Sequence, residues 1–301
     1  MKTSRLALSC ILLTFVAALP AMAGPRTFVS GLGNDANPGT REQPKRTFVS
    51  ALTVTDPGGE VVVLDPAGFA SSTLLINKSV SIIVPAGIFG GIRVTSGNAI
   101  TVAAGPDDTV VLRGLTLNNG GGYSGIEFQS GRALHVENCI INGFTPGGHS
   151  GIVVSSTAGE SARLFVKDTI CRRNDNGINC KAGRGSLDHV RLEQSGNIGL
   201  IVSGSGTKVS IANSVVSGNN GGLYGSTGGE LNIEACLVTN NNNSGIASVT
   251  GAIVRVSNST VTNNGIGLSI TDTSTLKSRG NNTVDGNTTD VNGAITLLPG
   301  T

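Results

Sequence analysis

Apolar residues recur along this chain in short alternating runs that restart at a nearly constant interval. Between Lys208 and Leu268 one text passes three times, as KVSIANSVVSGNNGGL, ELNIEACLVTNNNNSGI and IVRVSNSTVTNNGIGL. Each copy holds a β-branched run alternating apolar with polar, an Asn or small residue, a second apolar pair, an Asn/Gly turn, and Gly before Ile or Leu. The marker glycines are Gly222, Gly245 and Gly267. The same dipeptide stands upstream at Gly125, Gly151, Gly177 and Gly199, giving intervals of 26, 26, 22, 23, 23 and 22 residues. A fixed period of this size with strand-like content marks a solenoid. Strands so spaced cannot pair as adjacent hairpins without breaking the repeat. If each period is one winding, every strand pairs in parallel with its copy about 4.8 Å away, and roughly eight to ten windings make a rod on the order of 40 to 48 Å long.

Alternation assigns the faces. Val136, Val166, Leu187, Ile211, Ile233 and Val256 form one inward stack, and Ile126, Ile152, Ile178, Leu200, Leu223, Ile246 and Leu268 form another. Each buried aliphatic side chain contributes roughly 1.5 to 3 kcal/mol, so two such stacks hold a coil together with few aromatics. Two residues beyond the first stack runs a polar column, Asn138, Asp168, His189, Asn213, Ala235 and Asn258. Asn tolerates left-handed backbone at tight turns and can bond its counterpart in the next winding, so this column is expected to be an asparagine ladder.

Before the repeats, residues 25–43 read as a short strand and a turn cluster. Thr40 with Gln43 has capping-box spacing, and PKRTFVSALTV continues as a short amphipathic helix with Phe48, Ala51 and Leu52 on one face, a lid for the open end of the coil. The division expected is a signal peptide over 1–23, a strand and capping helix over 24–58, and the coil with its C-terminal cap over 59–301. The leader reading rests on MKTSR, an apolar core, and Ala21-Met22-Ala23 before Gly24. It places the mature chain outside the cytoplasm, secreted or periplasmic.

Composition narrows the partners. Of 21 basic residues Lys2 and Arg5 lie in the leader, leaving 19 basic against 19 acidic. This balance argues against bulk attraction to nucleic acid or an anionic membrane. With 44 Gly and no Trp the chain suits many tight turns and rejects a helical bundle. No later segment approaches the roughly 18 consecutive apolar residues of a membrane span. Of the cysteines beyond the leader, Cys139 and Cys236 share a column four windings apart, roughly 19 Å, too far to bridge. Cys171 and Cys180 both point inward, and their bonding depends on turn geometry; buried thiols used as small apolar groups fit all four.

The segment FVSGLGNDANPGTREQPKRTF followed by DPGGEVVVLDPAG, together with RALHVENCIINGF and VRVSNSTVTNN, resembles secreted bacterial right-handed parallel β-helix proteins of the pectate-lyase-like superfamily. Gly33, Asp35, Asn37, Pro38, Gly39, Thr40 and Pro44 carry the opening motif, and the likeness covers nearly the whole mature chain. It implies an all-β fold, a single-stranded right-handed parallel β-helix with a short N-terminal capping helix. In many relatives a cysteine pair staples that helix; Gly39 and Lys45 stand here instead. Members include pectate and alginate lyases, epimerases and glycoside hydrolases, besides proteins with no assigned activity, and fold does not fix function. Gly148-His149-Ser150 poorly matches the Gly-His-Gly of polygalacturonase-type hydrolases, no Arg-Ile-Lys occurs, and no outer-face Asp cluster of the calcium-dependent lyases stands in the windings.

Two constellations remain. Arg163, Arg184 and Lys208 fall on successive windings of one outward column with Lys167 beside them, and Arg172, Arg173, Lys181 and Arg191 lie in the same windings. Cations stacked at strand spacing suit the carboxylates of an acidic polysaccharide, which Arg binds bidentately; the alternative is a solvated surface neutralised by neighbouring Glu and Asp. The expected binding residues are Arg163, Lys167, Arg184, Lys208, Arg172 and Lys181. Asp168 and His189 share a column on consecutive windings, and Arg191 follows. A lyase or epimerase needs a base for the sugar C5 proton and a cation for the carboxylate, so Asp188, His189 and Arg191 are the catalytic candidates; as a plain structural set they are variant rungs of the polar column. His135 and His149 stand apart and imply no metal site, and no residue pattern requires a cofactor. Tyr224 points outward on the second strand face. The expected function is an exported β-helix protein that is an extracellular surface protein or an acidic-polysaccharide-binding one without an evident catalytic constellation, the alternatives being a lyase or epimerase of uronate-containing glycans and a self-associating adhesin.

Overall fold

The computed structural model describes residues 24–298 apart from Pro146 and Asp272; the leader-like stretch 1–23 lies outside the described residues. Three parallel sheets of 12, 10 and 10 strands run the length of the molecule. One winding shows the plan: Ala133–Glu137 in sheet A, Ile140–Asn142 in sheet B, Ser150–Val154 in sheet C, then Arg163–Lys167 back in sheet A. The first two strands, Gly24–Val29 and Thr55–Val63, pair in parallel with the capping helix between them. In the repeat windings every strand pairs with its counterpart one winding away and not with its chain neighbour, as the nearly constant interval requires.

Both inward stacks form as the alternation predicts. Val136, Val166, Leu187, Ile211, Ile233 and Val256 are register partners on adjacent strands, and none is more than 2% exposed. Ile126, Ile152, Ile178, Leu200, Leu223, Ile246 and Leu268 pair likewise in sheet C. Among the described residues all four cysteines are buried free thiols. Burial pushes Cys139 and Cys180 up to about 12 and Cys236 up to about 11, so none is a ready nucleophile.

The chain turns from sheet A to sheet B through one left-handed residue. Asn138, Asp168, His189, Asn213, Ala235 and Asn258 all have φ between +48° and +53°. Their side chains do not form the expected ladder. Asn213 donates to Asp188 at 2.9 Å and Asn258 donates to Glu234, both at the surface. The continuous buried ladder lies at the next turn, between sheets B and C. There Asn219 Nδ2 donates to Asn241 Oδ1 at 3.0 Å, Asn241 to Asn264 at 2.9 Å, and Asn264 to Asn287 at 2.9 Å. Each of these amides also donates to a backbone carbonyl, of Leu192, Val216, Val238 and Val261 in turn. The reason is burial: a backbone that turns inside the rod needs partners for its N–H and C=O groups, and the Asn side chain supplies them.

The N-terminal end is closed by the helix Phe48–Val54, whose Phe48, Ala51 and Leu52 are buried as expected. It starts later than the capping-box spacing suggested. Thr47 is the N-cap, accepting the Ser50 N–H, whereas Thr40 accepts the Gln43 N–H in a separate local turn. Asp35 holds the start in place: its Oδ1 accepts the N–H groups of Arg46 and Thr47, both at 2.9 Å. Asn37 donates to the Pro44 carbonyl, and a Cβ on Gly33 would lie 2.2 Å from the Lys45 carbonyl oxygen. The opening motif is therefore the clasp of the cap.

Candidate functional site

Register sets the outer face of sheet A. It places Arg163, Arg184 and Lys208 at the same position of three adjacent strands, and Lys167 opposite Asp188. The four cations are not equivalent. The Arg163 guanidinium donates to the carbonyls of Glu160, Ser161 and Ala162. Lys208 pairs with Glu230 at 2.7 Å, and Glu230 also takes Arg255 at 3.0 Å. Among the described residues Lys167 and Arg184 make no ion pair.

Between the positions of Arg163 and Lys167 stands Phe165, 39% exposed, with its ring stacked on His135 of the adjacent strand at 4.6 Å between centroids. The next two strands carry Ser186 and Ser210 in the same column, so nothing bulky follows the aromatic pair. His135, expected to stand apart, is thus half of a platform. Alternation held the signal: each ring sits between two inward aliphatics, Leu134 and Val136 for one, Leu164 and Val166 for the other.

The catalytic candidates come together only in part. His189 Nδ1 lies 2.9 Å from Asp188 Oδ2, and Asn213 donates to the other carboxylate oxygen. The hydrogen bond from Asn213, then that from His189 and the charges of His189 and Lys167, hold the Asp188 carboxyl below its ordinary range. Arg191 is past the corner on sheet B, bound to Glu193 at 2.5 Å. The left-handed turn at His189 sends it to another face, and Lys167 is the cation in register with the Asp188–His189 pair. Arg172 also belongs to sheet B, and Lys181 lies at the edge of sheet C beyond Cys180. The six expected binding residues are therefore distributed over three faces.

Lys181 lines a cleft of about 270 Å³ on sheet C, together with Asn98, Tyr123, Glu127, His149 and Asn179. The Tyr123 and His149 rings stack at 5.2 Å. Glu127 accepts from Asn98 at 2.6 Å and Gln129 at 2.9 Å. Asn179, two strands from Glu127 in the same column, has a buried Oδ1 with no hydrogen-bond partner. A carboxylate, an imidazole and an ammonium group, with no ion pair among them, share this cleft with an aromatic pair. They form a set able to move protons and bind a polar ligand. The repeat text did not single the cleft out because Tyr123 and His149 lie in the turns. Yet each stands two residues before a marker glycine, Gly125 or Gly151, one winding apart.

Comparison with known proteins agrees with this architecture. A family model described as right handed beta helix region matches residues 91–289. The fold is similar to that of pectate lyase Pel9A, at 17% identity and a TM-score of 0.66, over 85% of this chain and 74% of that one. It is also similar to the enzymatically active domain of bacteriophage CBA120 tailspike protein 2, at 13% identity and a TM-score of 0.50, over 78% of this chain and 42% of that one. The mannuronan C-5 epimerase AlgE4 A-module of Azotobacter vinelandii matches at 11% identity and a TM-score of 0.43, over 80% of this chain and 91% of that one. No curated protein matches the sequence. Three parallel sheets, windings of nearly constant length and a family match over more than half of the residues lead to one assignment: the chain belongs to the right-handed β-helix family.

Proposed function

We propose that this β-helix is an exported protein that binds acidic polysaccharide on the outer face of sheet A. The observation that carries the reading is the exposed Phe165–His135 stack with two cations beside it, Lys167 on the strand of Phe165 and Arg184 on the next, neither of which makes an ion pair among the described residues. A pyranose lays its apolar C–H face on an aromatic ring, and a uronate adds a carboxylate for a Lys or Arg beside it. The export half of the reading rests on the leader pattern of residues 1–23. Calorimetric titration with oligomers of galacturonate, mannuronate and a glycosaminoglycan tests the proposal. Binding should weaken with salt, and Lys167→Gln combined with Arg184→Gln should remove about 1.5 to 3 kcal/mol per lost charged bond, roughly tenfold or more in affinity each. Undiminished binding by that double variant and by Phe165→Ala would sink the proposal.

A second reading, a uronate lyase or epimerase, is favoured by the sheet C cleft, where Glu127, His149 and Lys181 stand together. In it His149 or Glu127 exchanges the C5 proton and Lys181 neutralises the carboxylate. Pectate, named for one fold neighbour, is the first polymer to try, with alginate beside it. Appearance of unsaturated uronide absorbance, abolished by Glu127→Gln or His149→Ala, would establish a lyase. Exchange of the C5 hydrogen with solvent, lost in the same variants, would establish an epimerase. Retention on an immobilised acidic glycan with neither change removes both.

A further inference from the structure

The outer face of sheet B carries two unlike columns side by side. Register aligns Arg93, Asn118, Asn142 and Arg172 on four adjacent strands, and the neighbouring outward column runs Gly91, Thr116, Ile140 and Ile170. At its N-terminal end the apolar column is completed by Phe89, 48% exposed, whose ring occupies the space over Gly91: a Cβ there would lie 2.7 Å from the ring. The ring forms one wall of a groove of about 870 Å³ whose lining includes Arg46 and Arg93 and no acidic side chain. Arg46 is held by the Gly68 carbonyl at 2.8 Å and lies over the Phe69 ring. Among the described residues Arg93 and Arg172 make no ion pair. Between them Asn142 Nδ2 reaches Asn118 Oδ1 at 3.4 Å, while the buried Oδ1 of Asn142 has no hydrogen-bond partner. One strand further on, Arg191 and Glu193 pair with each other and close the run.

We infer that this strip is a binding track for an acidic oligosaccharide lying along the rod axis, separate from the sheet A face. Its chemistry matches such a chain on both sides. Phe89, Ile140 and Ile170 offer apolar surface to the C–H faces of successive pyranose rings. Asn118 and Asn142 offer side-chain amides to hydroxyl groups. Arg93 and Arg172 meet carboxylates bidentately at the two ends. At about 4.8 Å per strand the two arginines are roughly 14 Å apart, the reach of roughly three to four sugar units at one per strand. Charge complementarity favours an anionic occupant, because the groove collects arginines on a chain whose basic and acidic residues nearly balance.

The inference stands on residues that the sheet A proposal does not use, so the two can be tested apart. A background carrying Lys167→Gln and Arg184→Gln silences sheet A. In it, calorimetric titrations with tetragalacturonate, tetramannuronate and a hyaluronan tetrasaccharide measure the track, with methyl-esterified tetragalacturonate and maltotetraose as uncharged controls. The expected result is binding of at least one acidic tetramer. Arg93→Gln with Arg172→Gln should weaken it at least tenfold, Phe89→Ala severalfold, and the controls should bind no better than that double variant. All of these positions are at the surface, and unchanged melting curves confirm that the variants are folded. The inference is overturned if no acidic tetramer binds in the background, or if binding survives the arginine and Phe89 variants within twofold.

Discussion

Asn241 and Asn213 are the same residue in similar text, and the structure gives them different tasks. Asn241 is 1% exposed and links two neighbours in the buried ladder, whereas Asn213 turns a corner at the surface. Asn241→Ala removes the partner of the Asn219 N–H, a donor to the Val216 carbonyl and one bond from each of the Asn219 and Asn264 side chains inside the rod, each group left unpaired costing about 1 to 3 kcal/mol. Asn213→Gly keeps the left-handed corner and should be tolerated within a few tenths of a kcal/mol; urea denaturation of both variants checks the contrast. Ala235 occupies the same corner at φ +50° with no polar side chain. Because the left-handed region costs an ordinary L-residue roughly 1 to 2 kcal/mol and Asn less, Ala235→Asn should stabilise by about 0.5 to 1 kcal/mol. The sequence alone points to the Asn138–Asn258 column as the ladder and to the Asn/Gly stretch that follows as only a turn, since Asn suits an exposed corner and an internal amide bridge equally well. Arg191 was misplaced for a related reason: distance along the text does not reveal that one left-handed residue moves the next strand to another sheet.

Pairing between strands sets the electrostatics at the scale of elements. The side-chain bonds from Lys208 and Arg255, on the strands either side, hold Glu230 below its ordinary 4.5. A carboxylate depressed on folding contributes stability that is present above its unfolded value and lost as pH falls through the folded one. Glu230→Gln should therefore destabilise the protein at about pH 7 and make little difference at about pH 3, as denaturant titrations at the two pH values would reveal. The strands and both inward stacks were legible because period-2 alternation and the marker glycines repeat, and so was the apolar face of the capping helix. The helix start was not, since the capping-box spacing of Thr40 with Gln43 points to the earlier threonine, while the contacts of Asp35 with Arg46 and Thr47 fix the start at Thr47. The stacked rings of Phe165 and His135, and of Tyr123 and His149, were present as register coincidences that emerge once windings are aligned.

For the whole molecule, the three faces differ while the core repeats. Sheet A carries an aromatic and cationic patch, sheet C a polar cleft, and sheet B an amphipathic strip, all on one scaffold of stacked windings. The ends differ too. The helix covers the first windings, while near the last ones Val291 is 43% and Leu297 70% exposed. Since each winding touches mainly its neighbours, stability is close to a sum of repeat and interface terms. Deleting residues 230–252 would join Gly229 to Ile253 and bring Asn219 beside Asn264 and Ile211 beside Val256. That shortened chain should still melt in one cooperative transition. Deleting only 230–241 removes two faces of a winding and should give no folded protein; circular dichroism melts separate the outcomes.

The near-constant length of the windings has a consequence for heredity. Slippage or unequal exchange between the DNA segments encoding two neighbouring copies adds or drops a complete circuit of chain, and the product remains foldable at once. Kindred chains should consequently differ in length by multiples of a circuit, and a surface patch can be carried along or left behind in a single genetic event.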